Sequence, residues 1–458
     1  MLLRLLVLLA SFWILPELSW AGSGEDKFGN LGLTGTERGI YCVLLFLVAY
    51  GFVMTEEFTH MRKSKPVILV AGIIWAHVAV LAASAGVSTE DLHEAFEYNL
   101  KEYGALMLFL LVAMTYINSM SELNVFEALR SWLVRKQFGY RKLFIITGII
   151  TFFLSAVADN LTAALLVGAV VLAVGKDNEK FISIGFVNLV IAANAGGAFC
   201  PFGDITTLMV WQAGYAEFFD FFKLFIPSMV NYAVPAAFMY LAIPDEQPAV
   251  TNEEAVQMKK GAWEVCGLFF VTICLAVSFK QFLHLPPFMG MMTGLGILMM
   301  YAYALKTVYH VEGQEKFDIF KQVHNAEWDT LLFFFGVVFA VGGLGYIGYL
   351  ELLSGTMYTG LGHTTANILV GLLSAVVDNI PVMFAVLNMK LDMNLYQWLL
   401  VTLTAGVGGS MLSVGSAAGV ALMGRSNHKY TFFSHLKWTP AIAAGYAASI
   451  FVHYLING

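Results

Sequence analysis

Long apolar runs separated by short polar breaks fill the chain from residue 38 onward. Most runs are close to the roughly 20 residues a helix needs to cross a bilayer. They predict ten full spans, at about 38–54, 66–87, 103–120, 181–214, 221–243, 263–280, 287–305, 330–350, 395–424 and 438–456. None alternates apolar and polar residues as a membrane-barrel strand does. The fold class that follows is an all-α polytopic membrane protein.

Two further runs, 143–174 and 365–389, do not fit. Each is long for one helix and short for two crossings of about 20 residues each. Each carries an Asp-Asn pair near its centre, Asp159-Asn160 and Asp378-Asn379. We read them as re-entrant helical hairpins with the pair at the tip. Non-helical backbone at membrane depth is tolerated where it faces protein or a wet cavity.

The two tips are written in nearly the same words. Residues 154–160 read LSAVADN and residues 373–379 read LSAVVDN, an offset of 219. A glycine-interrupted span follows each, Asn194–Asp204 and Gly406–Ser416, offset by 212. A third match, at an offset of 227, pairs the acids Glu102 and Asp329, each entering the span before a hairpin. The order of three spans, a hairpin and two spans therefore occurs twice, over 38–243 and 263–456, with a cytoplasmic linker at 244–262. Five crossings per half is an odd number, so the second half enters from the opposite side. Such inverted repeats are common in secondary transporters, whose sites lie where the halves meet.

Charge orients the layout. One set of loops holds 18 Lys and Arg residues and the other 6. By the positive-inside rule the first set is cytoplasmic, which puts the mature N-terminus and the C-terminus outside. Residues 1–21 look like a secretory signal, with Arg4, an apolar core and Ser19-Trp20-Ala21 at the end. An uncleaved first helix is the alternative. The acids at 88–101 read as a solvated interfacial helix.

Composition agrees with a membrane protein, at 59% hydrophobic and 12% charged residues. There is no basic stripe for nucleic acid. The four cysteines match no zinc or disulfide spacing. The histidines, His435 among them, are expected to be structural. No nucleophile elbow, HExxH or phosphate loop is present.

An acid at membrane depth is costly, so it is a functional candidate by default. Around the first tip stand Asp159, Asn160, Thr162, Asn194, Asp204, Thr206 and Thr207. Around the second stand Asp378, Asn379, Ser410, Ser413 and Ser416. Glycines, and Pro201 in the first half, should unwind spans 181–214 and 395–424 and free carbonyl oxygens. These hard oxygen donors suit small hard cations. Neither cluster contains Arg or Lys, which counts against an anionic cargo. A buried carboxylate can hold a metal cation or a proton, and competition for it couples the two. Asp159 and Asp204 are the pair expected to do this, with Asn160 and Asn194 completing a cation site. Each acid could instead cap a helix. Pro381 makes a capped helix start natural at Asp378.

The chain resembles the NhaD-type sodium/proton antiporters of the ion transporter superfamily. The resemblance rests on SAVADNLT, on Asn194 with Gly203-Asp204-Ile205-Thr206-Thr207, on Glu327-Trp-Asp-Thr-Leu-Leu-Phe-Phe334 and on SAVVDNIPVMFAVL, and covers most of the chain after residue 36. Relatives that carry dicarboxylates have Ser-Asn-Thr at the tips instead. The resemblance implies a scaffold part and a transport part, elevator-like alternating motion and a homodimer. It also implies export of Na⁺ or Li⁺ against H⁺, with no cofactor. It implies roles in transport for Asp159, Asn160, Thr162, Asn194, Asp204, Thr206, Thr207, Asp329, Ser374, Asn379, Ser413, Ser416 and Glu102. A sodium-coupled carboxylate carrier or an arsenite exporter on the same fold is the first alternative. An intramembrane protease with paired aspartates is the second.

Overall fold

The computed structural model describes residues 31–59, 61–176, 178–248, 255–308 and 317–458. The signal-like segment 1–21 lies outside them. The described residues form helices and turns, with no strand among them. In chain order the principal helices of the first half are α1 (Glu37–Met54), α2 (Ser64–Ser84), α3 (Thr89–Glu122), α4 (Val125–Arg135), α5 (Tyr140–Ala158), α6 (Asn160–Val174), α7 (Glu179–Gly197), α8 (Ile205–Ala213) and α9 (Phe225–Ala242). The second half contains α10 (Ala262–Leu283), α11 (Pro287–Val308), α12 (Trp328–Ile347), α13 (His363–Ser374), α14 (Asn379–Asn388), α15 (Leu395–Gly408), α16 (Ala417–Arg425) and α17 (Thr439–Asn457).

Side-chain caps start several of these helices where the sequence supplies them. Thr36, Ser88, Asn178 and Asn394 each accept a backbone N–H in the first turn of α1, α3, α7 and α15, satisfying donors that a helix start leaves free.

Ten helices among the described residues are long and apolar enough to cross a membrane. They are not quite the ten expected. The run 395–424 is not among them, because it breaks, as its glycines led us to expect, into α15, a 3₁₀ turn at Ser413–Gly415 and α16. Tyr140–Ala158 takes its place: the first arm of the expected hairpin is a helix of 19 residues, long enough to count among the ten. The separate interfacial helix at 88–101 is also absent. Residues 89–122 form one continuous α3 of 34 residues. No proline interrupts that stretch, and Gly104 alone does not end a helix.

The halves repeat in packing as well as in sequence. α1 packs on α2 as α10 packs on α11; α5 packs on α7 as α13 packs on α15. α9 lies on α7 as α17 lies on α15. Across the halves, α2 packs on α12 as α11 packs on α3, and α6 meets α16 as α14 meets α8. Single bonds repeat too. Ser155 Oγ donates to the Ala193 carbonyl at 2.6 Å, and Ser374 Oγ donates to the Ala405 carbonyl at 2.8 Å. These residues correspond under the two sequence offsets.

Glycine makes the close approach of these helices achievable. A Cβ on Gly196 would strike the Phe152 carbonyl, and one on Gly408 would strike the Gly371 carbonyl. The same glycine-rich stretches end the helices. α7 stops at Gly197 and α8 resumes at Ile205; α15 stops at Gly408 and α16 resumes at Ala417. α7 packs on both α15 and α16, while α8 packs on α14 and α15. The two interruptions therefore converge in the interior. α7 and α12 are the most enclosed spans, whereas α1, α10 and α17 leave most of their surface outward, with Leu44, Leu47, Phe270, Phe451 and Leu455 exposed for hydrocarbon.

Substituting Gly196→Ala or Gly408→Ala should cost about 1–3 kcal/mol through overpacking against backbone. Gly72→Ala, where a Cβ would meet nothing within 4 Å, should stay within about 0.5 kcal/mol of the parent. Thermal unfolding of the detergent-solubilised protein checks both.

Candidate functional site

Asp204 is the centre of the converging interruptions. It is the residue before α8, and its side chain is 5% exposed. It caps α8: Oδ1 accepts from the Thr206 N–H and from Thr206 Oγ1, each at 2.9 Å. Two asparagine amides complete its shell. Asn160 Nδ2 donates to Oδ2 at 2.6 Å, and Asn379 Nδ2 donates to Oδ2 at 3.1 Å and to Oδ1 at 3.3 Å. One of those amides begins α6 and the other begins α14, so each half supplies one. A carboxylate with this many donors is satisfied as an anion without water.

A second layer joins the same cluster. Asn160 Nδ2 donates its other hydrogen to Asn194 Oδ1 at 3.2 Å, and Ser416 Oγ donates to the same oxygen at 3.1 Å. Asn194 Nδ2 is buried with no hydrogen-bond partner. The residues expected as two clusters thus form one hub: Asn379 and Ser416 of the second half reach across to Asp204 and Asn194 of the first.

Asp159 stands next to the hub but faces elsewhere. It sits between α5 and α6 with φ of 49°, a conformation that side chains other than glycine adopt at a cost. Its carboxylate caps α6, accepting from the Thr162 N–H at 2.9 Å and from Thr162 Oγ1 at 2.7 Å. It shares no hydrogen-bond donor with Asp204. Among neighbouring charges, Glu327 acts on it.

Asp378 occupies the matching place before α14 and behaves differently. It makes no side-chain cap bond. Thr162, the third residue of α6, corresponds to Pro381 in α14, and proline has no N–H to give. Pro381 therefore does not favour a capped start here; it removes the donor a cap needs. Instead Asp378 Oδ2 lies 3.5 Å from Lys63 Nζ. This corrects the expectation that neither cluster holds a cation. Lys63 is 315 residues away in sequence, and only the fold brings it in.

The remaining candidates divide by what they touch. Thr207 Oγ1 donates to the Cys200 and Asp204 carbonyls and closes the turn before α8. Ser374 ties α13 to α15. Ser413 Oγ is buried in the 3₁₀ turn without a partner. Asp329 lies in the first turn of α12 and accepts from Ser64 Oγ at 2.5 Å. Glu102 lines a cavity of about 360 Å³ with Tyr98, Gln212, Tyr215 and Lys390. Neither Asp329 nor Glu102 is hydrogen-bonded to the hub.

Ser410 contributes backbone. His435 Nε2 lies 2.9 Å from the Ser410 carbonyl and Nδ1 lies 2.7 Å from Tyr430 Oη. A carbonyl only accepts, so Nε2 carries the hydrogen and Nδ1 accepts from Tyr430. Burial holds the ring neutral down to about 4. His435 thus pins the interrupted segment 409–412 in place.

Two participants carried no separate sequence reading. Ser155 lies within the repeated phrase itself, and its match to Ser374 was the available signal. Lys63 is one of several cations in a polar loop, and nothing in the text of the chain sets it apart.

Comparison with known proteins decides the family. The profile of the citrate transporter family matches residues 43–406. The Na(+)/H(+) antiporter NhaD of Vibrio cholerae is 51% identical, over 98% of this chain and 98% of its own. That of Halomonas elongata is 52% identical over 99% of this chain and 94% of its own. Sodium/proton antiporter 1 of Arabidopsis thaliana is 30% identical over 93% of this chain and 74% of its own.

The chain belongs to the NhaD-type antiporters. As an NhaD-type protein it is a multi-pass membrane transporter and not an enzyme, which removes the intramembrane protease reading. The hub of Asp204, Asn160, Asn194, Asn379 and Ser416 is then the candidate ion site of a transporter.

Removing the His435 ring should destabilise the protein by about 1–3 kcal/mol, read from thermal unfolding of His435→Ala. The sign with pH is fixed by the lowered pKa. The unfolded chain takes a proton near 6.5, while the folded one resists it until about 4. Stability should therefore fall as pH drops between those values, and His435→Gln should weaken that dependence.

Proposed function

We propose that this NhaD-type chain exports Na⁺ and Li⁺ across the cell's inner membrane in exchange for H⁺, at the hub around Asp204. The observation that carries this reading is the buried Asp204 carboxylate, held by asparagine amides from both halves. Its relatives are named Na⁺/H⁺ antiporters, which supports the same cargo.

The hub offers two arrangements that differ in what they bind. Ser155 Oγ lies 2.6 Å from the Ala193 carbonyl and 2.9 Å from Asn160 Oδ1. A hydroxyl has one hydrogen and cannot donate to both. Rotating the Asn160 amide by half a turn resolves this, because Nδ2 then donates to Ser155 Oγ. Amide oxygen and nitrogen exchange places at little steric cost. The same rotation turns Asn160 Oδ1 toward Asp204 Oδ2 and Asn194 Oδ1. Three oxygens then face one another with no hydrogen between them, a set that a small hard cation satisfies. In the other orientation the amide hydrogens satisfy Asp204 and no ion is needed. A proton on Asp204 removes the negative charge and so competes with the metal ion for the same place.

Asp159 is the second acid of this reading, placed one residue from Asn160 and bound to Thr162. Thr206 orients Asp204, while Asp378, Ser374, Ser410, Ser413, Asp329 and Glu102 belong to the surrounding framework or the access route. We assign the halves as inverted repeats, the pairs α5–α6 and α13–α14 as re-entrant hairpins, and both ends of the mature chain to the outside. The group α1–α3 with α10–α12 would be the scaffold, and α5–α8 with α13–α16 the moving body of an elevator in a homodimer. The repeated helix pairs support the two-fold part of this assignment.

A carboxylate cargo, suggested by the family profile, would meet the Asp204 anion directly. In everted vesicles holding a preformed pH gradient, added NaCl or LiCl should collapse it, and added citrate or arsenite should not. Asp204→Asn and Asp159→Asn should reduce the response to background with insertion intact. Asp378→Asn should do less harm. Half-saturating Na⁺ should rise as pH falls, since protons compete. Full exchange by Asp204→Asn would refute the site.

A further inference from the structure

Lys63 lies in the link between α1 and α2, at the residue before Ser64 begins α2. Its ammonium and the Asp378 carboxylate are 3.5 Å apart, with side chains only 14% and 17% exposed. The ammonium also sits 4.4 Å from the centroid of the Phe333 ring on α12, a favourable place for a cation. Ser64, the next residue, is bonded to Asp329 on α12. Glu56, at the start of the same link, is a second carboxylate within reach of the Lys63 charge. Asp329 in turn acts on Glu56. Lys63 and Ser64 are therefore docked against α12 and the start of α14.

Asp378 has been released from the duty its counterpart performs. Asp159 caps α6 through Thr162, but Pro381 leaves Asp378 nothing comparable to cap. Its negative charge is spent on Lys63 instead. An enclosed charge whose partner is deleted stays uncompensated, so the pair is not an incidental surface contact. Asp378 is also adjacent to Asn379, whose amide holds Asp204, and the Asp378 charge acts on Asp204.

We propose that Lys63 is the fixed counter-ion of the second tip, neutralising Asp378 so that the hub holds its cation against one fewer nearby negative charge. Lys63 is a positioning residue in this sense and does not touch the transported ion. Its tethered ammonium weakens the hold of the hub on Na⁺, which favours release. Because Lys63 belongs with α2 and α12 while Asp378 belongs with α14, the same pair ties the scaffold group to the tip in this conformation, and an elevator stroke would part it.

This inference rests on the reading of Asp204 as the cation site, and the test separates the two. The full chain is reconstituted in proteoliposomes, and the half-saturating Na⁺ concentration is measured at one fixed pH. Lys63→Gln should lower it by about threefold or more, because a negative charge near the hub is uncovered. Asp378→Asn should raise it by about threefold or more, because a positive charge is uncovered. The double variant restores neutrality and should return to within about twofold of the parent. Lys63→Arg should keep the parent value. A purely structural contact would damage rate or insertion without this opposed pair of shifts and its cancellation. An unchanged half-saturation in Lys63→Gln, or a double variant displaced as far as a single one, overturns the inference. Where Lys63→Gln does not insert, equal values for Asp378→Asn and the double variant overturn it. A parent protein without Na⁺-dependent exchange overturns the reading of the hub and this inference together.

Discussion

A carboxylate inside a membrane protein must be satisfied without water, and that constraint organises this structure around Asp204. Water-free burial of an anion is tolerated only when donors surround it. Thr206 at the start of α8 provides two donors, its backbone N–H and its hydroxyl, and two asparagine amides provide the others. Those amides must arrive from α6 and α14. Their helices can begin at the hub only if α5 and α13 end there, and only if α7 and α15 are interrupted beside them. Glycine at 196 and 408 lets the interrupted helices approach the preceding ones at backbone contact. The polar centre thus demands the helix breaks, the breaks demand glycine, and the glycines set the packing of both halves.

Much of this was legible in the sequence. The phrase LSAVADN and its copy LSAVVDN located both junctions, because an acid in an apolar run is too costly to be accidental. The glycine clusters located both interruptions, because glycine and proline end helices for local reasons. Boundaries were harder. Residues 89–122 form a single helix even though the first part reads as interfacial, since polarity alone does not break a helix. The break expected within 395–424 is there, and only the lengths of its two pieces, 14 and 9 residues, were not given by the sequence. The gathering of Asn160, Asn194 and Asp204 was legible, but individual contacts between the halves were not. Nothing in the sequence links Lys63 to Asp378, or Ser416 to Asn194, because their meeting depends on how α2, α12 and the two tips pack.

The halves are copies in backbone and unequal in chemistry. Two helix starts in the first half, α6 and α8, are capped by Asp159 and Asp204. The corresponding starts in the second half carry Asp378 and Ser416, and neither side chain makes a cap bond. The cause is local at α14, where Pro381 replaces Thr162 and removes the donor. Ser416 is neutral, so α16 begins without a charge. Side chains freed from capping are available for other partners, and both find them outside their own helix: Ser416 at Asn194, Asp378 at Lys63.

This inequality decides how many anionic centres the interior contains. Two identical halves would place acids at both helix starts of each, and four carboxylates converging in a low-dielectric interior would repel strongly. Replacing one acid by serine and pairing another with lysine leaves Asp204 as the single carboxylate within the hub, with Asp159 beside it on its own cap. A tethered ammonium cannot be exported, so in this conformation it neutralises the surplus charge, and in the proposed reading Na⁺ and H⁺ compete for the remainder. The backbone repeat supplies two equivalent frames, and Pro381, Ser416 and the Lys63 contact make them chemically unequal; in the proposed reading the first holds the ion and the second supports it.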